Sequence, residues 1–326
     1  MHMIEHIEPE KWRKLMNTQI YKPEGFYVSA EGRENFYSQN TLEKAAATGK
    51  ILEAQALLCD SEFSLYVDLG SMKGKIPKSE AVYQPSGGEV KDIAVITRVG
   101  KTVAFKVLGF AVENGETVAI LSRKAAQKDC LENYLMTLTP GDIVDAQVTH
   151  LEAFGAFVDI GCGVISLLSI DCISVSRISH PRDRFYTGMQ IKAVIKSIDY
   201  ETSRIYVSHK ELLGTWEENV AKFEVGQTIA GVVRSVEPYG IFVELTPNLA
   251  GLAEYREGVF PGQRAAVYIK NIIPEKMKVK LVLVDAYSST APSDYRFEYF
   301  ETRTHIDRFT YSPSVSCRLV ETSFTD

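Results

Sequence analysis

The stretch Thr139–Lys210, TPGDIVDAQVTHLEAFGAFVDIGCGVISLLSIDCISVSRISHPRDRFYTGMQIKAVIKSIDYETSRIYVSHK, decides the fold. Ile143, Gln147 and Thr149 mark a first strand, Phe157, Asp159 and Ile160 a second, and Ile165, Leu167 and Leu168 a third. A loop broken at His180-Pro181 separates these from two more strands, Gln190 to Asp199 and Arg204 to Ser208. Five short strands in about 70 residues, with glycine at the turns and no room for a crossover helix, predict a small closed antiparallel barrel.

The turn between the first two strands is Glu152-Ala153-Phe154-Gly155-Ala156-Phe157. Gly155 permits a backbone twist that a residue with a Cβ resists. Phe157 or its neighbour can serve as core, whereas Phe154, in a turn beside glycine, is harder to bury. Exposed aromatics on a barrel face form a stacking platform for unpaired bases.

These residues carry a resemblance. Gly141-Asp142, Phe154 to Asp159, the loop Ile178 to Pro181, Gly188, Ile198-Asp199, Arg204-Ile205 and Ser208, in this order and spacing, resemble the S1 domain. That is the OB-fold RNA-binding module of ribosomal protein S1 and its relatives. The fold expected is all-β: tandem five-stranded OB-fold (S1-type) barrels joined by short linker helices, with a small C-terminal β-rich extension.

The module recurs. Glu62-Phe63-Ser64-Leu65-Tyr66 to Gly70 lines up with Phe154 to Gly161, and Tyr239-Gly240-Ile241-Phe242 repeats the aromatic turn. The turns recur about every 85 to 90 residues, a domain-sized repeat. The resulting organisation is an N-terminal segment with a helix (1–47), a divergent first barrel (48–124) and a linker helix (125–138). A second barrel (139–210), a second linker helix (211–223), a third barrel (224–285) and a C-terminal extension (286–326) follow. In the first segment, Glu8 to Met16 reads as a short helix, and His2 and His6 as a solvated helix start. Asn40-Thr41-Leu42-Glu43 reads as the cap of a helix stopping at Gly49. In the first barrel, Asp92 to Arg98, Gly100 to Leu108 and Thr117 to Lys124 read as the remaining elements, with a hairpin at Asn114-Gly115. Thr215-Trp216-Glu217-Glu218 reads as a capping box. In the extension, Tyr295 to Tyr299 reads as a strand, with Arg303 to Tyr311 and Cys317 to Thr322 as candidate further strands; the tail forms a small β-element or packs on the third barrel, packing being favoured over RNA or ribosome contact.

At 326 residues and a formal net charge of −6, the chain lacks the overall basic balance usual for nucleic-acid binding, so any such binding rests on local cations and stacking. Five cysteines, an odd number without a CxxC pair, fit a reduced cytoplasmic chain without structural zinc. No apolar run approaches a membrane span. No Walker loop, GxSxG or HExxH is present, so neither an enzyme nor a cofactor is expected. His150, His180 and His209 read as structural or surface residues, and Asp142, Asp145, Asp159, Asp171 and Asp183 as solvated. Lys73, Lys75, Lys78, Arg98, Lys101 and Lys106 of the first copy read equally as phosphate contacts or as scattered surface charge.

The resemblance implies which residues meet RNA. In the central copy these are Phe154, Phe157, Asp199 and Arg204, with Ser169 where the family has a third-strand histidine. In the third copy they are Tyr239, Phe242 and Lys278, with Glu254 at the histidine position and Ile273 at the aspartate position. In the first they are Phe63 and Tyr66, with Pro77 at the histidine position. The partners it implies are single-stranded messenger RNA and the small ribosomal subunit. The alternative is a protein-docking or RNA-decay accessory role.

Overall fold

The computed structural model describes residues 21–26, 36–85, 87–288 and 297–325. The expected helix Glu8 to Met16, His2, His6 and the first two residues of the Tyr295 strand lie outside them. The chain divides into two compact units: residues 1–137 with 159–165, and residues 138–158 with 166–326.

Three closed five-stranded barrels follow one another along the chain. The first holds β1 (Leu52–Cys59), β2 (Leu65–Asp68), β3 (Lys73–Ile76), β4 (Thr102–Glu113) and β5 (Glu116–Ser122). The second holds β6 (Ile143–Glu152), β7 (Gly155–Asp159), β8 (Ile165–Ser169), β9 (Gln190–Asp199) and β10 (Arg204–Ser208). The third holds β11 (Thr228–Glu237), β12 (Gly240–Thr246), β13 (Leu249–Ala253), β14 (Arg264–Ile273) and β15 (Lys278–Tyr287). The barrels are not purely antiparallel. Each closes through one parallel pair, β3 with β5, β8 with β10 and β13 with β15. Closure leaves no edge strand for another chain to extend.

Alternation along each strand sets the cores. Ala54, Ala56, Leu65, Val67, Ile76, Phe105 and Leu121 fill the first barrel, and Val233, Ile241, Val243, Val267, Ile269 and Leu281 the third. Each Leu, Val or Ile so buried contributes about 1.5–3 kcal/mol. The Asn114-Gly115 hairpin forms, both residues having positive φ (52° and 81°), as a two-residue turn of matching twist requires.

Four helices are described: α1 (Gln39–Thr48), α2 (Asp92–Ile96), α3 (Arg123–Asn133) and α4 (Trp216–Val220). The cap of α1 is Ser38, whose hydroxyl accepts from the Thr41 amide; the Asn40 cap read from the sequence lies inside the helix. Asp92 to Ile96 is helical, with only Val95 buried, because the segment lacks the alternation of a strand. Thr215 and Glu218 form a capping box on α4, and Trp216 is buried in the third core.

Asp159 is not solvated. Buried in the first unit, it accepts hydrogen bonds from the amides of Glu24, Gly161 and Gly163. The Glu24 carboxylate in turn holds the buried Arg123 guanidinium by two bonds, 2.6 and 2.9 Å. Burial and the nearby Glu24 charge push Asp159 up to about 7.

In the second unit, polar side chains join the second and third barrels. Buried Arg184 pairs with Glu244 on β12 and also donates to Ser174 Oγ. Arg234 on β11 holds the same Glu244 by bonds of 2.7 and 3.1 Å. Asn248 is 0% exposed; its Oδ1 accepts from the Val175 amide, and its Nδ2 donates to the Lys210 and Gly214 carbonyls.

The extension packs on both barrels of its unit, not on the third alone. His305 bonds Asp142, and the Ile306 amide donates to the Gly141 carbonyl. Phe297 and Tyr299 pack against buried His209, while the Tyr311 hydroxyl donates to the Asn248 carbonyl. The segment 297–300 belongs to no strand; Phe297 packs on His209 and Phe185, and the Phe300 amide donates to the Leu212 carbonyl. Among the described residues, the one sheet of the extension pairs β16 (Arg308–Thr310) with β17 (Glu321–Ser323).

Candidate nucleic-acid interface

The β6–β7 turn presents Phe154, 56% exposed, and β7 sets Phe157 half-buried beside it. Their rings meet edge to face, centroids 6.0 Å apart at 90°. The third barrel repeats this almost unchanged: Tyr239, 69% exposed, and Phe242 are 6.2 Å apart at 87°. Each pair supports itself as aromatic edges and faces attract, and each leaves one ring face to solvent.

The glycine between the rings has a different job from the twist expected of it. The backbone of Gly155 has no positive φ; a Cβ there would sit 2.5 Å from the Leu168 carbonyl oxygen. At Gly240 a Cβ would sit 2.5 Å from the Ala253 oxygen. The third strand crosses directly beneath the turn, and only glycine lets it approach. The first barrel has Ser64 here, and its turn is rebuilt. Phe63 takes φ 60°, and Asp60 Oδ1 accepts from the Glu62 and Ser64 amides.

That rebuilt turn changes the rings. Lys78 Nζ lies 5.1 Å from the centroid of Phe63, and Lys75 Nζ 5.7 Å from that of Tyr66. The cations are themselves held: Lys73 by Glu116, Lys75 by Glu113, Lys78 by Asp92, Lys106 by Asp129 and Arg98 by Glu24. Hydrogen bonding to Glu113 and to Asp92 keeps Lys75 and Lys78 above their usual values. Five of the six cations singled out in the first barrel therefore pair within the chain.

On the third strands Phe242 stands opposite Leu252 and Tyr66 opposite Lys75. Glu254 and Pro77, the residues at the family's histidine position, each follow the last residue of their strand. On β8, Ser169 is the last strand residue and caps the helical turn that follows, with Leu167 two residues before it. The strand beyond continues the row: Tyr206 stands beside Leu167, Lys280 beside Leu252 and Ile120 beside Lys75.

Asp199 and Arg204 are directly opposed at the β9–β10 hairpin, as are Ile273 and Lys278 at β14–β15. Arg204 and Lys278 are exposed. Asp199 is engaged by its own turn, accepting from the Thr202 hydroxyl and from the amides of Thr202 and Glu201. Those bonds, the hydroxyl first, hold its carboxyl below the usual range.

His150 lies near Phe157, ring centroids 6.3 Å apart, and bonds Glu152 at 2.7 Å. Its place on the aromatic face follows from β6 running beside β7, which the sequence shows only once the register is known. His180 caps a helical turn, accepting from the Arg182 amide. His209 is buried, which lowers it to about 4. Among the described residues no group of three His, Cys, Asp or Glu is placed to hold a metal ion, and no helix is long and apolar enough to cross a membrane.

Three OB barrels in tandem, with a matching aromatic pair on the second and third, define the class. Residues 137–210 match the family model described as S1 RNA binding domain. The small ribosomal subunit protein bS1 of Staphylococcus aureus is 32% identical over 272 residues, 78% of this chain and 67% of that protein. That of Rhizobium meliloti is 30% identical over 236 residues, 67% of this chain and 40% of that protein. A Streptococcus pneumoniae structure, a multidomain protein with nucleic acid binding domains, aligns at 16% identity over 75% of this chain and 76% of its own, with a TM-score of 0.25. The chain is an S1-domain protein, and it belongs to the bacterial ribosomal protein bS1 family, spanning about two thirds of the Staphylococcus relative.

Proposed function

We propose that this protein binds single-stranded RNA through the second and third barrels, holding messenger RNA at the small ribosomal subunit in the cytoplasm. The observation that carries the reading is the repeated aromatic pair, Phe154–Phe157 and Tyr239–Phe242, open to solvent in one geometry on two barrels. Bases stack on the exposed rings, and Arg204 and Lys278 reach phosphates. Asp199, engaged by its own turn, positions the hairpin that carries Arg204. Its relatives' name, small ribosomal subunit protein, supports the location. Stacking accepts any base, so sequence preference is slight.

A different role falls to the first barrel. Its rings at Phe63 and Tyr66 are approached by lysine tips and its cations are paired internally. This favours protein contact over RNA for that module.

The test is binding of fluorescent single-stranded RNA at two salt concentrations, with the Phe154→Ala/Phe157→Ala variant alongside. Binding should weaken with salt as counterion release demands. Each lost stack should cost about 1–3 kcal/mol, roughly 5- to 150-fold in affinity. A wild type that ignores RNA at low salt, or a variant that binds equally well, would refute the reading.

A further inference from the structure

The geometry points to Tyr206 as a third base-stacking residue of the central barrel, carrying RNA across the parallel β8–β10 seam. The inference rests on the proposed RNA-binding function and adds a subsite to it.

Four observations converge. Tyr206 is 36% exposed on β10, next to Leu167 on β8 in the parallel ladder. Leu167 is half-buried and apolar, so it forms a low floor between the rings on either side of it. Among the described residues the Tyr206 ring makes no ring contact and its hydroxyl no hydrogen bond. A partly exposed tyrosine with no ring or hydrogen-bond partner among the described residues offers its open edge and face to a ligand. Arg204, two residues earlier on the same strand, is also exposed; alternation puts both on the outer face. A cation for phosphate thus neighbours a ring for a base.

The spacing decides what Tyr206 can do. β7 and β10 flank β8, so the strands that carry Phe157 and Tyr206 run two strand spacings apart, about 9–10 Å. Aromatic rings in contact lie within about 4.5–7 Å. One base therefore cannot rest on both rings, and Tyr206 takes a base further along the strand. The other barrels lack this ring. The third has Lys280 in its place, suited to phosphate, and the first has Ile120. The central barrel alone would accommodate the longer stacked tract.

The experiment measures affinity of wild type, Tyr206→Ala, Tyr206→Phe and Phe154→Ala/Phe157→Ala for oligouridylates of increasing length. Tyr206→Ala should lose roughly 5- to 150-fold on long oligomers. It should lose little on oligomers too short to leave the Phe154–Phe157 pair, and Tyr206→Phe should bind as wild type. A Tyr206→Trp variant in a Trp12→Phe background reports contact directly: its emission should be quenched by RNA, over the constant background of buried Trp216. Wild-type affinity in Tyr206→Ala together with unquenched Tyr206→Trp overturns the proposal. If Phe154→Ala/Phe157→Ala still weakens binding in that case, the RNA-binding reading stands without this subsite. If the phenylalanine variant also binds as wild type, both fall.

Discussion

Replacing Asn248 by alanine should uncouple the second and third barrels and cost about 4–5 kcal/mol of stability. The side chain is 0% exposed and makes three hydrogen bonds, all to backbone: from Val175 N at 2.9 Å, to Lys210 O at 2.8 Å and to Gly214 O at 2.9 Å. Each is worth about 1 kcal/mol net, and leaving the Val175 amide unsatisfied adds about 1–2 kcal/mol more. A domain is stable by only about 5–15 kcal/mol, so the loss is a large fraction of the total. Urea unfolding followed by Trp216 fluorescence, in a Trp12→Phe background, reads the third barrel core directly. Asn248→Asp separates shape from bonding. Its carboxylate still accepts from Val175 but faces the Lys210 and Gly214 carbonyls without a proton to give them. It should therefore be as destabilised as alanine near neutrality and partly recover in acid. The functional signature is a loss of affinity for RNA long enough to span both barrels, with short oligomers unaffected, because the effective concentration of the second site depends on the joint. A loss under about 1 kcal/mol in Asn248→Ala would show that water replaces these bonds and that the joint does not rest on them.

Two further outcomes follow from the same unit. Burial opposes charge on His305, but its bonds to Asp142 at 2.8 Å and Asp307 at 3.2 Å outweigh this and hold it above its usual value. The extension's contribution through His305 is then complete below about pH 6.5 and is lost as pH rises through the higher folded value. The difference in melting temperature between wild type and His305→Gln should shrink between pH 6 and pH 9; a constant difference refutes the assignment. Gly155→Ala would place a Cβ 2.5 Å from the Leu168 oxygen, so the turn must shift. It should cost about 1–3 kcal/mol, as overpacking does, and weaken RNA binding with Phe154 itself unchanged. Thermal unfolding and RNA titration together check this, and an unperturbed variant in both would sink it.

Most of the fold could be read from the sequence because its signals are local. The FGAF turn, the Asn114-Gly115 hairpin and the Thr215–Glu218 box each specify their geometry within a few residues. What the sequence missed is long-range. Asn248 meets Val175 across 73 residues and Gly214 across 34, and no periodicity announces such a polar contact. Register is long-range too: that Leu252 stands opposite Phe242 shows only once the strands are paired. Asp159 read as solvated because nothing near it in the chain shows that the Glu24 amide arrives from 135 residues away. The alternating aromatics of the extension suggested a strand, but Phe297 and Tyr299 pack on His209 instead.

The same distinction bears on which repeats bind RNA. All three copies carry two aromatics at the turn, although the first is divergent by sequence, with Ser64 where the others have glycine. In the first, Ser64 replaces the glycine, Phe63 adopts a left-handed backbone, and Lys78 and Lys75 lie over the two rings. Those lysines answer to Asp92 and Glu113, so freeing a ring for a base would mean moving a cation off both a ring and a carboxylate. In the second and third, the rings contact each other and their outer faces stay open. On the proposed reading, binding competence would turn less on having the aromatics than on the glycine that lets the third strand pass beneath them.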